Sequence, residues 1–149
     1  MNKLLFALAV FIISTSTCFA DSTLEKEFVD RYKKAFETKD GTTLESFLYT
    51  KGSDPMALEF YKMMMTSEMG SKISSIELLK LTPDEAKKAS GTMPSPDGGQ
   101  SKLPVAPNRK LIIKIENTDA NGTSKSSSDS FVAEVDGKLM IPVPAPVTK

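Results

Sequence analysis

The spacing of the apolar residues changes at Gly70, and that change limits the folds open to this chain. Before Gly70 the apolar side chains recur at intervals of three or four, as from Phe28 to Phe36, which is typical of one helix face. After Gly70 they recur at every second position, as Leu111, Ile113 and Ile115 do, which is typical of one strand face. Helices followed by antiparallel strands predict an α+β fold, with N-terminal helices packed on a curved antiparallel sheet.

Capping residues predict where the three N-terminal helices begin. The stretch Ser22–Glu25 has the pattern of a capping box, in which a serine hydroxyl and a glutamate carboxylate bond the first free amides of a helix. Thr42 opens a short second helix after a Lys-Asp-Gly break. Asp54 caps a third helix, which has Pro55 at its first position and ends before Gly70.

The middle of the chain predicts a strand, a short helix and an insert. Residues 72–82 are rich in Ile and Leu and predict a strand, and Thr82 then caps a short helix. Residues 90–108 are dense in Pro, Gly and Ser. Such a segment is too long for a simple connection, so it predicts a flexible insert.

Three further strands are predicted near the C-terminus, at 109–117, 125–135 and 138–143. The dipeptide Asp136-Gly137 between the last two is a strong signal for a two-residue hairpin turn. In the second of these strands the pattern predicts Phe131, Ala133 and Val135 as the side chains that face the core.

The first twenty residues have the features of a secretory signal peptide. Lys3 precedes the apolar run Leu4–Ile13, and small residues occupy 18 and 20, just before Asp21. The run is about half the length that spans a bilayer, so no stable membrane span is expected. The residues before Cys18 lack the pattern that precedes an acylated cysteine, which favours cleavage after Ala20 over lipid anchoring. We therefore expect a bacterial protein that is exported, periplasmic or secreted, with one domain at 21–149.

The composition excludes several kinds of chemistry. The chain has no histidine and one cysteine, which lies in the predicted signal peptide. Ser-His and Cys-His nucleophiles and most zinc sites are therefore excluded. The 19 basic and 19 acidic residues are interspersed, without the basic stripe that nucleic acid requires. We expect no cofactor and no nucleic-acid partner, and acid–base chemistry would fall to carboxylates and tyrosines.

Four methionines crowd the stretch 60–70 of the predicted third helix. The apolar arc of this helix covers more than half its circumference, which predicts burial on most sides, in a core, a pocket or a dimer surface. An alternative is a periplasmic Cu(I) site formed by thioethers, which are soft ligands. Only Met65 and Met69 share a face at a spacing of four, and no histidine or mature cysteine could strengthen such a site, so packing is favoured.

Two stretches resemble the NTF2-like superfamily, the cone-shaped α+β fold also seen in SnoaL-type cyclases, ketosteroid isomerases and small exported domains. The first is "FVDRYKKAFETKDGTTLESFL", with an amphipathic helix, a break and a short second helix. The second is the hairpin "SFVAEVDGKLMI". Together they cover about a quarter of the mature chain. The resemblance implies a pocket between helices and sheet and a homodimer formed through the sheet, but a shared fold does not fix a function.

The resemblance also implies one enzymatic alternative. Ketosteroid isomerases use a tyrosine of the first helix as an oxyanion donor together with an aspartate base, and Tyr32 is similar in position to that tyrosine. The family's base follows the second helix on an early strand, where this chain has "GSDPMALEF" and Asp54 is better explained as a helix cap. The alternative is thus a small tyrosine/carboxylate enzyme that acts on a carbonyl or steroid-like substrate.

The leading prediction is an exported, non-catalytic binding or accessory domain, and not an enzyme. We expect its cavity to bind a small apolar ligand or a protein partner. The predicted pocket residues are Tyr32, Phe36, Phe60, Met64 and Phe131.

Overall fold

The computed structural model describes residues 17–95, 97–120 and 122–147 and, for 17–20, the backbone alone. The predicted signal peptide thus lies outside the described residues except for 17–20, which are helical. The helices are α1 (Thr17–Glu37), α2 (Gly41–Glu45), α3 (Pro55–Thr66) and α4 (Pro83–Ala89). The strands are β1 (Leu48–Tyr49), β2 (Ile73–Lys80), β3 (Met93–Pro94), β4 (Gln100–Lys102), β5 (Arg109–Asp119), β6 (Gly122–Val135), β7 (Lys138–Pro142) and β8 (Ala145–Pro146).

The main sheet has five strands in the order β1-β7-β6-β5-β2. All neighbouring strands are antiparallel except β1, which pairs with β7 in parallel. The hairpin β6–β7 turns at Asp136 and Gly137, whose φ angles are 50° and 73°. Two positive φ angles in succession form the turn that matches the twist of a hairpin, so the sequence prediction for this turn is confirmed. The fold class is α+β, as predicted.

Side-chain caps fix the starts of the later helices. Asp54 accepts a hydrogen bond from the amide of Ala57 at 2.9 Å and is buried, so it is the N-cap of α3 as predicted. Thr82 and Glu85 form a complete capping box at α4. These caps depend on residues within one helical turn of each other, which is why the sequence predicts them well.

The core lies between α1, α2, α3 and one face of the sheet. α1 contributes one side of it, with Phe28 and Tyr32 packed against Phe47, whose ring centroid lies 4.9 Å from that of Phe28. The sheet contributes the alternating side chains of β5 and β7, as the sequence predicts. The buried core residues of the sheet are Leu48, Ile73, Leu111, Ile113, Ile115, Val132, Leu139 and Ile141.

The first helix begins earlier than the capping box predicts. α1 already passes through Ser22, so this residue is not an N-cap. Glu25, the other half of the predicted box, instead accepts a hydrogen bond from Nε of Arg109 at 2.7 Å. Arg109 is buried, contacts Asp21 as well, and has Glu134 at 4.0 Å. A buried guanidinium requires carboxylate partners, so this cluster fastens the start of α1 to the sheet.

The inward face of β6 differs from the prediction by one residue. Val132 lies opposite Arg109, and Ser130 lies opposite the buried Leu111, so even-numbered residues face the core side. Phe131 lies opposite Lys110 and faces the other side of the sheet. Since strand side chains alternate, a shift of one residue reverses every orientation.

The segment 90–108 contains β3 and β4. Ser101 of β4 pairs with Pro146 of β8, and the amide of Val147 donates to the carbonyl of Gln100 at 2.8 Å. The insert and the chain end thereby form a second, three-stranded sheet in the order β3-β4-β8. The flexibility of the insert stays a prediction.

Candidate functional site

A small cavity of about 100 Å³ lies between α1, the end of α3 and the sheet. One part of its wall is apolar, because α1 and β5 both turn their regular apolar faces toward it. Polar side chains lie on the sides formed by β6 and by the residues just after α3. The cavity is lined by Tyr32, Phe36, Met64, Met65, Ser67, Glu68, Leu111, Ile113, Ile115, Ser128 and Ser130.

Tyr32 is the titratable group of the cavity that is most enclosed. Its side chain is only 3% exposed, and burial raises the pKa of its phenol to about 12. Within the described part of the chain its hydroxyl has no hydrogen-bond partner, although its ring packs against two phenylalanines. A phenol that stays protonated and has no partner is a donor suited to a ligand oxygen.

Glu68 supplies a carboxylate at the edge of the same cavity. It lies just after the C-terminus of α3 and is exposed. The hydroxyl oxygen of Ser126, on β6, lies 2.9 and 3.0 Å from the two carboxylate oxygens, so this hydroxyl donates to Glu68 and orients it. A carboxylate held by a neighbouring hydroxyl beside a partly apolar cavity has the geometry of a positioned base.

The structure brings together three of the five predicted pocket residues. Tyr32, Phe36 and Met64 line the cavity. Phe60 does not, because it lies on the outer side of α3 and is 54% exposed. Phe131 does not, because β6 turns it to the opposite face of the sheet. Whether this cavity binds a ligand stays a prediction.

Sequence reasoning missed the polar half of the cavity. Ser128 and Ser130 face it because their strand partners are the buried residues Ile113 and Leu111. The serine-rich stretch of β6 pointed to a polar groove but named no residues, since its register was not known. Glu68 gave a weaker signal still, because it lies in a turn beyond the end of the helix.

The methionines of α3 lie in three different environments. Met65 is buried in the core and Met64 lines the cavity. Met56 and Met63 are 49% and 60% exposed, on the same side as Phe60. The prediction that α3 is buried on most sides therefore holds for only part of its circumference. This distribution does not favour a single Cu(I) site, which requires several thioethers to converge on one ion.

Comparisons with known proteins give one similar solved structure. No protein-family model matches the chain, and no curated protein matches it in sequence. The solved structure is that of a "putative polyketide cyclase" from Xanthomonas campestris pv. campestris. The two chains are 16% identical, the TM-score is 0.41, and the match covers 83% of this chain and 90% of the other.

This comparison corrects the prediction that the chain is not an enzyme. The name of the Xanthomonas protein is that of an enzyme, which contradicts that prediction. The prediction depended on the absence of histidine and of a mature cysteine, and those absences exclude only the chemistries that need them. Tyrosine and carboxylate side chains can also transfer protons, and the cavity contains one of each.

Two further predictions concern partners: that the chain has no stable membrane span, and that it forms a homodimer through the sheet. Across the described ranges, no helix has both the length and the apolar character that crossing a bilayer requires. The homodimer through the sheet stays a prediction. The outer face of the sheet does carry one exposed apolar side chain, Leu79, at 44% exposure.

Proposed function

We propose that this chain is a small acid–base enzyme that removes a proton next to a carbonyl group. Tyr32 would donate a hydrogen bond to the carbonyl oxygen, and Glu68 would accept the proton. The observation that carries the proposal is that an unpartnered phenol and a hydroxyl-oriented carboxylate line one cavity.

The proposed step moves one proton and one electron pair. The bond between hydrogen and the α-carbon breaks, the proton passes to the carboxylate of Glu68, and the electron pair moves onto the carbonyl oxygen. The hydrogen bond from Tyr32 strengthens as that oxygen gains charge, because Tyr32 donates it from a buried position. The carboxylic acid of Glu68 then returns the proton to the product, so the enzyme is regenerated.

The size of the cavity limits what it can enclose. A cavity of about 150 Å³ holds one benzene molecule, and this one measures about 100 Å³. It therefore has room for a small ketone or for the carbonyl end of a larger apolar molecule. Ser128 and Ser130 add hydroxyls that would bind a second oxygen of the substrate.

The proposal includes an NTF2-like fold and an exported location. The order of helices and strands, and the position of the cavity between helices and sheet, support the first. The signal peptide expected at 1–20 supports the second. Mass spectrometry of the protein from a bacterial host tests the export: an N-terminus at Asp21 supports it, and an intact Met1 in the cytoplasm contradicts it.

Proton exchange in D₂O tests the chemistry without knowledge of the natural substrate. Butanone is a small ketone with exchangeable protons, and NMR follows the loss of its α-proton signals. The wild-type chain should accelerate this exchange. Glu68→Gln should lower the catalysed rate by about 10²–10⁴-fold, the usual contribution of a general base. Tyr32→Phe should lower it by about 10²–10³-fold, the cost of one oxyanion donor.

Glu59→Gln is the matched control, because Glu59 lies on α3, the helix that precedes Glu68, but does not line the cavity. It should exchange butanone at the wild-type rate. Equal rates for the wild type, Glu68→Gln and Glu59→Gln would contradict the proposal, as would a wild-type rate no faster than that of buffer.

A further inference from the structure

A second and larger concavity lies beside the part of α1 that precedes Tyr32, next to the end of α2 and to β7. It has a volume of about 360 Å³, within the range of small-molecule sites. Its floor is apolar, and the buried rings of Phe28 and Phe47 form part of it. Leu24, Leu139 and Met140 also line it. Together with the two rings they form an apolar surface on which a hydrocarbon chain could lie. We call it the α1 groove.

The rim of the α1 groove has two cations and one acid. Arg31 and Lys138 lie on it and are exposed, and Glu27 is the carboxylate there. In the described part of the chain, neither cation has a carboxylate within ion-pair distance. Lysines elsewhere do form such pairs, as Lys62 does with Glu45 at 3.4 Å. The two cations of the rim therefore exceed its own acid by one. Arg31 also helps to lower the pKa of Asp40, but from beyond ion-pair distance.

Arg31 is held in place before any ligand arrives. Its guanidinium carbon lies 5.1 Å from the ring centroid of Phe47, which is the geometry of a cation–π contact. Its Nη2 also donates to the hydroxyl of Ser46 at 3.1 Å. The planar guanidinium keeps further N–H donors in a fixed orientation at the groove. Such an arrangement binds a carboxylate with less loss of side-chain entropy than a free lysine would.

We propose that the α1 groove binds an amphipathic carboxylate, a molecule with a hydrocarbon body and one anionic head. The body lies on the rings of Phe28 and Phe47, and the head lies between Arg31 and Lys138. The groove and the cavity of Tyr32 share no lining residue, although Tyr32 packs against the rings of Phe28 and Phe47. The proposed ligand contacts neither Tyr32 nor Glu68, so this site does not depend on the proposed enzyme activity.

Three probes of equal chain length test the charge preference: octanoate, octanol and octylammonium. Each is titrated calorimetrically into the mature chain below its micelle concentration. Octanoate should bind most tightly and octylammonium least. Arg31→Gln and Lys138→Gln should each weaken octanoate binding by about two- to fivefold, the contribution of an exposed charge pair. Glu27→Gln should strengthen it, because it removes the repelling carboxylate.

Two controls locate the site. Lys34→Gln removes a cation from the same helix that does not line the groove, and Tyr32→Phe alters the other cavity. Both variants should bind octanoate as the wild type does. The proposal is overturned if octanoate shows no saturable binding, if octylammonium binds as tightly as octanoate, or if Arg31→Gln and Lys138→Gln both keep the wild-type affinity.

Discussion

Replacement of Leu111 by alanine should open the cavity of Tyr32 and make it bind an apolar guest. Leu111 is 1% exposed and already lines that cavity, so its truncation enlarges a space that the surrounding walls have not filled. Leu→Ala changes in cores cost about 3–5 kcal/mol where the site does not collapse. A domain of this size has about 5–15 kcal/mol of stability, so the variant should remain mostly folded. Urea denaturation measures the loss as a lower midpoint with an unchanged slope.

Benzene provides the second part of this test. A guest present at ten times its dissociation constant should restore about 1.4 kcal/mol to the free energy of unfolding of Leu111→Ala. Leu44→Ala is the matched control, because Leu44 is 0% exposed but does not line the cavity. That variant should lose stability and be rescued less, because its truncation does not add to an existing cavity. Equal rescue of both variants, or of neither, would refute the assignment of Leu111 to the wall of an unfilled cavity.

Three further perturbations test other parts of the structure. The hydrogen bond from Lys110 and those from Thr82 lower the pKa of Glu85 from its ordinary 4.5 to about 2. The ionised carboxylate therefore adds stability above pH 4.5, and this stability is lost as the pH falls toward 2. Glu85→Gln should make the free energy of unfolding fall less steeply with pH between 4.5 and 2. Asp54→Ala removes the cap of α3 and should lower the free energy of unfolding by about 1 kcal/mol, read from the urea midpoint. Hydrogen peroxide should convert Met63, 60% exposed, to its sulfoxide long before Met65, 4% exposed, as measured by peptide mass spectrometry; oxidation in the reverse order would contradict the orientation of α3.

Features that depend on neighbouring residues could be predicted from the sequence. The caps at Asp54 and Thr82 involve amides one turn away, and the Asp136-Gly137 turn needs only its own backbone angles. The alternation of apolar residues in β5 and β7 also gave their buried faces correctly. Each of these signals lies within a few residues of the structure it predicts.

Features that depend on pairing between distant segments could not be predicted. β1 has only two residues, and it becomes a strand because Leu48 pairs with Ile141. β6 has polar residues on both faces in its first half, so only its partners on β5 reveal that Ser128 and Ser130 face the cavity. Because the register of β6 against β5 was not known, the sequence analysis also assigned Phe131 to the wrong face of the sheet.

The candidate site combines both kinds of feature. Tyr32 and Phe36 follow from the helical spacing of α1, and the sequence names them. Glu68 follows from the turn that ends α3 and from its contact with Ser126, fifty-eight residues further along the chain. A carboxylate placed by such a contact has no signature in a single sequence.

A crystal structure of the mature chain with butanone tests the central claim most directly. The account predicts the ketone in the cavity of Tyr32, with its oxygen at about 2.6–3.2 Å from the phenol oxygen and an α-carbon facing the carboxylate of Glu68. A ketone bound elsewhere would contradict it. So would a carboxylate of Glu68 more than about 8 Å from the phenol oxygen, since proton transfer requires near contact or one bridging water.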